Sequence, residues 1–212
     1  MTRHVFIDNS NLFIGAQRAA GAYEPAAAPL AVRLAYANLF VLLHGDEPVG
    51  TRVMIGSGPP NLRAAWDGAR AFGYDTDLFI APNARPRERG VDELVQLKIA
   101  NALLDHPAPQ TLVLVTGDGN ASEFGTSFIE QIARALRLGW RVELWSWREQ
   151  LSSRLVDQAD LSTGRMTIRL LDPHYRAITR VKSGQFIVGG KMVRQYAREA
   201  ERLPLDMLES TV

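Results

Sequence analysis

The 212-residue sequence contains no cysteine. A disulfide framework, a zinc–thiolate site and a thiol nucleophile are therefore excluded. It has only four histidines, and no two of them are four residues apart, which disfavours a zinc enzyme. No run of apolar residues approaches the roughly 18 that a membrane-spanning helix needs. The whole sequence is 46% hydrophobic and 22% charged, a composition typical of a globular protein.

No secretion signal is evident at the start of the sequence. Residues 1–4 lead directly into a short apolar run that Asp8 interrupts, and no cleavage site follows. We therefore expect a cytoplasmic protein without membrane association. The net charge of +1 is unevenly distributed, since residues 165–212 contain nine Lys or Arg against five Asp or Glu. This basic end indicates a polyanionic partner.

Short apolar runs alternate with segments of helical spacing along most of the chain. This alternation is typical of βαβ units, so we predict a three-layer α/β/α fold with a central, mainly parallel sheet. The predicted strands are His4–Asp8, Thr51–Ile55, Tyr74–Ile80, Leu112–Thr116, Trp140–Trp145 and Met166–Leu171. The predicted helices between them are Leu12–Ala20, Leu30–His44, Leu62–Phe72, Val91–Leu104, Ser127–Leu138 and Leu151–Val156.

The pattern changes near Asp172, which we take as a domain boundary. Residues 1–172 form the predicted α/β domain, and residues 173–212 form a small basic extension. In this extension we predict strands at Ile178–Lys182 and Gln185–Val188 joined by a hairpin turn, followed by a polar helix over Met192–Arg202. Three roles stay open for it: extending a surface that binds a polyanionic partner, forming a homodimer, or packing on the domain.

Acidic residues stand at the ends of two predicted strands and at the start of a helix. Asp8 ends the first strand, Asp118 follows the fourth, and Asp92 and Glu93 begin the helix at Val91. Parallel strands place such residues at one edge of the sheet. Each acid also has a simpler interpretation, because carboxylates favour helix N-termini and turns.

Several carboxylates held together repel one another, and a divalent cation relieves this repulsion. Mg²⁺ or Mn²⁺ prefers oxygen ligands and would activate a water for attack on a phosphodiester. Asn11 and Asn120 offer neutral oxygens, and Glu123 is a further acid, although a first-turn position in the next helix explains it equally well. The arginines before Asp92 are suited to a nucleic-acid backbone, or form a solvated loop: Arg85, Arg87 and Arg89.

Three segments together resemble the NYN domain, a branch of the PIN-like nuclease superfamily. They are Val5–Leu12 with its Asp-x-x-Asn, Arg89–Glu93, and Thr116–Asn120, and the resemblance covers roughly residues 3–171. It implies a PIN-like, Rossmann-like fold and a metal-dependent ribonuclease acting on RNA, most simply single-stranded. Asp8, Asn11, Asp92 and Asp118 would be catalytic, and metal ligands would come from Asp8, Asp92, Asp118, Glu93 and Glu123. The predicted substrate-binding residues are Asn9, Ser10, Arg85, Arg87, Arg89, Thr116 and Asn120.

One position departs from the family pattern. Many members have a second Asp two residues after the Gly-Asp acid, whereas this sequence has Asn120. Glu123 is a candidate to take its place. The main alternative is therefore a PIN-like module that binds RNA or a protein without turnover. A small-molecule phosphohydrolase is disfavoured because Ser10 stands where a second Asp would be required. A nucleotide-binding Rossmann domain is also disfavoured, because no Gly-x-Gly-x-x-Gly follows the first strand.

Overall fold

The structure is a computed structural model that describes residues 1–57, 63–79, 90–120 and 126–203. Its strands are β1 (Arg3–Asp8), β2 (Val32–Leu34), β3 (Val49–Ser57), β4 (Asp75–Phe79), β5 (Thr111–Val115), β6 (Arg141–Ser146), β7 (Met166–Leu170), β8 (Thr179–Val181), β9 (Gly184–Val188) and β10 (Lys191–Gln195). Its helices are α1 (Asn9–Tyr23), α2 (Tyr36–His44), α3 (Arg63–Ala71), α4 (Val91–Asp105), α5 (Phe128–Arg137), α6 (Ser153–Leu161) and α7 (Tyr175–Ile178).

Six strands form one parallel sheet in the order β4-β3-β1-β5-β6-β7. The central strand β1 is buried on both faces, as expected for a parallel sheet covered by helices. Val5 and Ile7 belong to the apolar core that contains side chains of α1 and α2, whereas Phe6 belongs to the core on the side of α4 and α5. The predicted three-layer α/β/α fold with a parallel sheet is therefore confirmed.

The predicted helix over Leu30–His44 is wrong in its first half. Pro29–Ala31 is a single 3-10 turn, Val32–Leu34 is strand β2, and the helix begins only at Tyr36. Leu30 is 58% exposed and Val41 41% exposed, so these two apolar residues do not face the core. Burial alternates along β2 because its partner is β8, a pairing of residues about 150 positions apart that helical spacing cannot reveal.

The predicted helix over Met192–Arg202 is also wrong. Residues 191–195 form β10, which pairs antiparallel with β9. The turn of this hairpin is Gly189–Gly190, with φ of 56° and 79°, as a two-residue turn of mirror-image type requires. The predicted turn at Lys182–Gln185 instead separates β8 from β9, which belong to different sheets.

The apolar core continues across the predicted boundary at Asp172. Tyr175, Ile178 and Val181 are buried in the same core as Val5 and Ile7. Asp172 is itself buried, and its carboxylate accepts hydrogen bonds from the Tyr23 hydroxyl and the Arg148 amide. The described part of the extension thus packs on the α/β domain. No helix in the described ranges has the length and apolar character that crossing a membrane requires.

Candidate active site

The candidate site lies where the strand order of the sheet reverses. From β1 the chain proceeds outward to β3 and β4, then returns to β5 on the other side of β1 and continues to β6 and β7. Such a reversal opens a crevice beyond the carboxyl ends of the two central strands. A pocket of about 240 Å³ occupies this region. Its described lining residues are Asp8, Ser10, Asn11, Ile14, Arg18, Val91, Asp92, Asp118 and Gln150.

Asp8 is held in place by two elements of the fold. It is only 2% exposed, and it caps the N-terminus of α1, where its Oδ1 accepts the amide of Asn11 at 3.1 Å. Its Oδ2 accepts the Thr116 hydroxyl at 3.2 Å. The N-terminus of a helix stabilises a carboxylate charge, so the local fold supports an ionised group at the pocket. The capping role and a catalytic role are compatible at this residue.

The loop after β5 is joined to α1 by side-chain hydrogen bonds. The Asn11 Oδ1 accepts the amide of Gly117 at 2.9 Å. Thr116 Oγ1 accepts the amide of Asp118 at 3.3 Å, and Asp118 Oδ1 in turn accepts the amide of Asn120 at 2.8 Å. These bonds place the half-buried Asp118 beside Asp8, with Asn11 as the residue that positions the loop.

Asp92 and Glu93 begin α4 but have different environments. Asp92 is half-buried and lines the pocket. Glu93 Oε2 accepts the amide of Gly90 at 2.9 Å, the return hydrogen bond of a helix cap. Glu93 is not among the described residues that line the pocket. The structure thus brings Asp92 to Asp8 and Asp118 and places Glu93 at the helix terminus.

The donor chemistry of the pocket fits a hard divalent cation. Asp8, Asp92 and Asp118 supply carboxylate oxygens, which Mg²⁺ and Mn²⁺ prefer over nitrogen or sulfur. In the ranges that the structure describes, however, no three acidic or histidine side chains come close enough to hold one ion together. The pocket therefore has the ligand types for such an ion, but the described acids do not form a ready three-ligand site.

The predicted substrate-binding residues have several different placements. Ser10 lines the pocket, and its Oγ accepts the amide of Ser57 at 2.8 Å, tying α1 to β3. Asn9 and Thr116 are buried, and Asn9 Oδ1 accepts the Tyr36 hydroxyl at 2.7 Å. Asn120 is exposed. Four predicted site residues lie outside the described residues: Arg85, Arg87, Arg89 and Glu123.

Four residues that line the pocket are absent from the sequence-based prediction: the apolar Ile14 and Val91, and the polar Arg18 and Gln150. Arg18 is exposed on α1, seven residues after Asn11 and four after Ile14, so helical periodicity from Asn11 would have found it. Gln150 belongs to a single 3-10 turn after β6. Its position depends on tertiary packing alone, and no sequence signal indicates it.

Comparison with known proteins supports the fold and leaves the activity open. No family model matches the chain, and no curated protein matches it in sequence. A solved structure of a protein of unknown function from Vibrio parahaemolyticus is similar, with a TM-score of 0.55 and 16% sequence identity. The similarity covers 80% of this chain and 92% of that one. At this level of identity, what the two chains share is their architecture.

Proposed function

We propose that this protein is a metal-dependent endoribonuclease that hydrolyses single-stranded RNA at the pocket above β1 and β5. The observation that carries the proposal is the approach of three acids from three separate elements to one pocket, with Arg18 at its edge. The acids are Asp8 at the end of β1, Asp92 at the start of α4, and Asp118 after β5. The resemblance to NYN domains supports the same function, and a cytoplasmic location stays a prediction.

The chain's own residues would orient the RNA and provide the negative charge of the site. Asp8 is fixed by two hydrogen bonds, so it needs little reorganisation when substrate binds. The Arg18 guanidinium would attract the scissile phosphate, and Ser10 would contact the adjacent backbone. Asp8, Asp92 and Asp118 would hold Mg²⁺ or Mn²⁺ after drawing closer together than they lie in the structure, and the ion would supply Lewis-acid polarisation of the phosphate and lower the pKa of a water. No histidine is among the described lining residues to act as a general base.

Cleavage of a labelled single-stranded RNA with Mg²⁺ or Mn²⁺ tests the proposal. We expect Asp118→Asn and Asp92→Asn each to lower the rate on the order of 100-fold while the melting temperature stays near that of the wild type. Asp105→Asn is the matched control for Asp92, since it changes an exposed Asp at the other end of the same helix. Absence of cleavage in both metals, or full activity of Asp118→Asn, would refute the proposal.

A second candidate is an RNA-binding module without turnover. Two observations favour it: no group of three acids or histidines among the described residues could hold a metal ion, and Asn120 replaces the second Asp found in many members of the resembled family. RNA binding by the wild type in Mg²⁺ and Mn²⁺, with no product after prolonged incubation, would identify this function.

A further inference from the structure

A second, larger depression of about 610 Å³ lies beside the candidate active site. We name it the β2–β8 groove, because residues of these two paired strands form one wall. Residues of α1, α2 and α3 also line it. Its volume falls within the range of ligand-binding clefts, and it is independent of the acidic pocket in its lining residues.

The groove is lined by three cations and one acid: Arg33, Arg180, Lys182 and Glu199. Arg33 and Arg180 are direct partners in the antiparallel β2–β8 pair. Like charges in this arrangement are destabilising. Burial of Arg33, and secondarily the positive charge of Arg180, lower the pKa of Arg33. Within the described ranges, no acid is in ion-pair distance of any of the three cations. Among the described residues, this cluster of positive charge has one acid in the same groove, Glu199, and forms no ion pair with it.

The groove and the acidic pocket meet at the first turns of α1. Phe13 lines the groove, while the next residue, Ile14, lines the pocket. Tyr36 also lines the groove, and its hydroxyl donates to Asn9, the residue after Asp8. The first turns of α1 therefore border both depressions, so a strand that leaves the pocket would pass along them into the groove.

We infer that the β2–β8 groove binds the single-stranded RNA that continues from the active site. Arg33, Arg180 and Lys182 contact its phosphates, and Phe13 and Tyr36 provide an aromatic surface for a base. Cations combined with aromatic side chains are the usual means of binding single strands without sequence preference. This inference rests on the proposed function, because it assigns the same RNA to both sites.

Two variants alter the groove without touching the acidic pocket. Arg180→Gln removes one exposed cation. Gly68→Glu adds a negative charge on α3, where a Cβ would meet no atom within 4 Å, so the side chain has room. Arg141→Gln is the control, since Arg141 is an exposed arginine at the amino end of β6 that lines neither the groove nor the acidic pocket.

The measurement is fluorescence anisotropy of a labelled 12-nucleotide oligouridylate bound to the full chain carrying Asp118→Asn, over a series of salt concentrations. We expect Arg180→Gln to weaken binding about 5-fold at 0.1 M salt and to reduce the slope of log K against log salt by about 0.7, the value for one phosphate contact on a single strand. Gly68→Glu should weaken binding at least as much, and Arg141→Gln should leave it unchanged.

The outcomes separate this inference from the proposed function. If the wild type cleaves RNA but Arg180→Gln and Gly68→Glu bind the oligonucleotide as tightly as Arg141→Gln does, the groove assignment is overturned and the nuclease stands. If the wild type never cleaves but both groove variants weaken binding, the groove stands and the nuclease falls. Equal displacement of the RNA by polyglutamate of the same charge would overturn the assignment to nucleic acid.

Discussion

Gly117 shows how a single residue shapes the candidate site. A Cβ at this position would lie 2.8 Å from the carbonyl carbon of Gln150, closer than side-chain carbons approach main-chain atoms. The Gly117 carbonyl also accepts the amide of Ser152 at 3.0 Å. The glycine before Asp118 is therefore required by the close approach of two chain segments, and the sequence pattern Gly-Asp-Gly reflects this packing.

Gly117→Ala should destabilise the fold and reduce RNA cleavage together. The added methyl group displaces either the Asp118 loop or the turn at Gln150, at a cost of about 1–3 kcal/mol. Gly21→Ala is the matched control, since it lies in α1 and a Cβ there would meet no atom within 4 Å. It should raise the free energy of unfolding by about 0.5–1 kcal/mol with unchanged cleavage. Urea unfolding measures both effects. Equal stability of the two variants would show that the Gln150 contact relaxes at no cost.

At the level of elements, the sequence correctly predicts those helices and strands that are determined by the apolar pattern of their own residues. The apolar runs of β1 and β5 and the apolar stripe of α4 correspond to elements of the structure within about two residues. Local pattern is therefore sufficient to predict that the acids at the ends of these elements lie at one edge of the sheet. It does not predict strand β2, which is a strand only through its pairing with β8, and it misses Gln150 because tertiary packing alone positions that residue.

Three elements meet at the amino end of the sheet in a histidine cluster. His4 of β1 is buried, and its Nδ1 accepts the amide of Thr51 on β3 at 3.3 Å. The ring of His106, just after α4, has its centroid 4.4 Å from that of His4. Burial, and secondarily the neighbouring His106, lower the pKa of His4 from 6.5 to about 4. His4 is thus neutral in the folded protein over a range where it is protonated in the unfolded chain.

Because His4 is buried in its neutral form, we expect the free energy of unfolding to fall in acid. Between pH 6.5 and about 4 the unfolded state binds one more proton at His4, so the free energy of unfolding falls as pH is lowered. Above pH 6.5 the contribution is fully present. The slope from His4 is at most about 1.4 kcal/mol per pH unit, and His4→Gln should remove it. Urea unfolding at intervals from pH 4 to 7 measures the slope. Identical slopes in the variant and the wild type would exclude His4 as its source.

At the scale of the whole molecule, the described part of the basic extension is bonded to the α/β domain and contributes to its stability. Arg198 makes a two-pronged ion pair with Glu24 after α1, with N–O distances of 2.7 and 2.9 Å, and both side chains are largely buried. Its Nη1 also donates to the carbonyl of Thr179 at 2.9 Å. One arginine thereby joins β8, the end of the described chain and the segment after α1. Truncation at Asp172 would remove these bonds and part of the core, so it cannot serve as a test of RNA binding alone.

Arg198→Ala should therefore be among the most destabilising surface-proximal substitutions in the chain. It leaves the Glu24 carboxylate buried without its partner, which costs about 3–5 kcal/mol. The double variant Glu24→Gln with Arg198→Met should lose less, because it leaves no unpaired charge. Arg202→Ala, an exposed arginine four residues on, is the control and should change stability by less than about 0.5 kcal/mol. Urea unfolding of all three decides the point. If Arg198→Ala lowers the free energy of unfolding no more than Arg202→Ala does, the extension is held by its apolar contacts, and the ion pair adds no measurable stability.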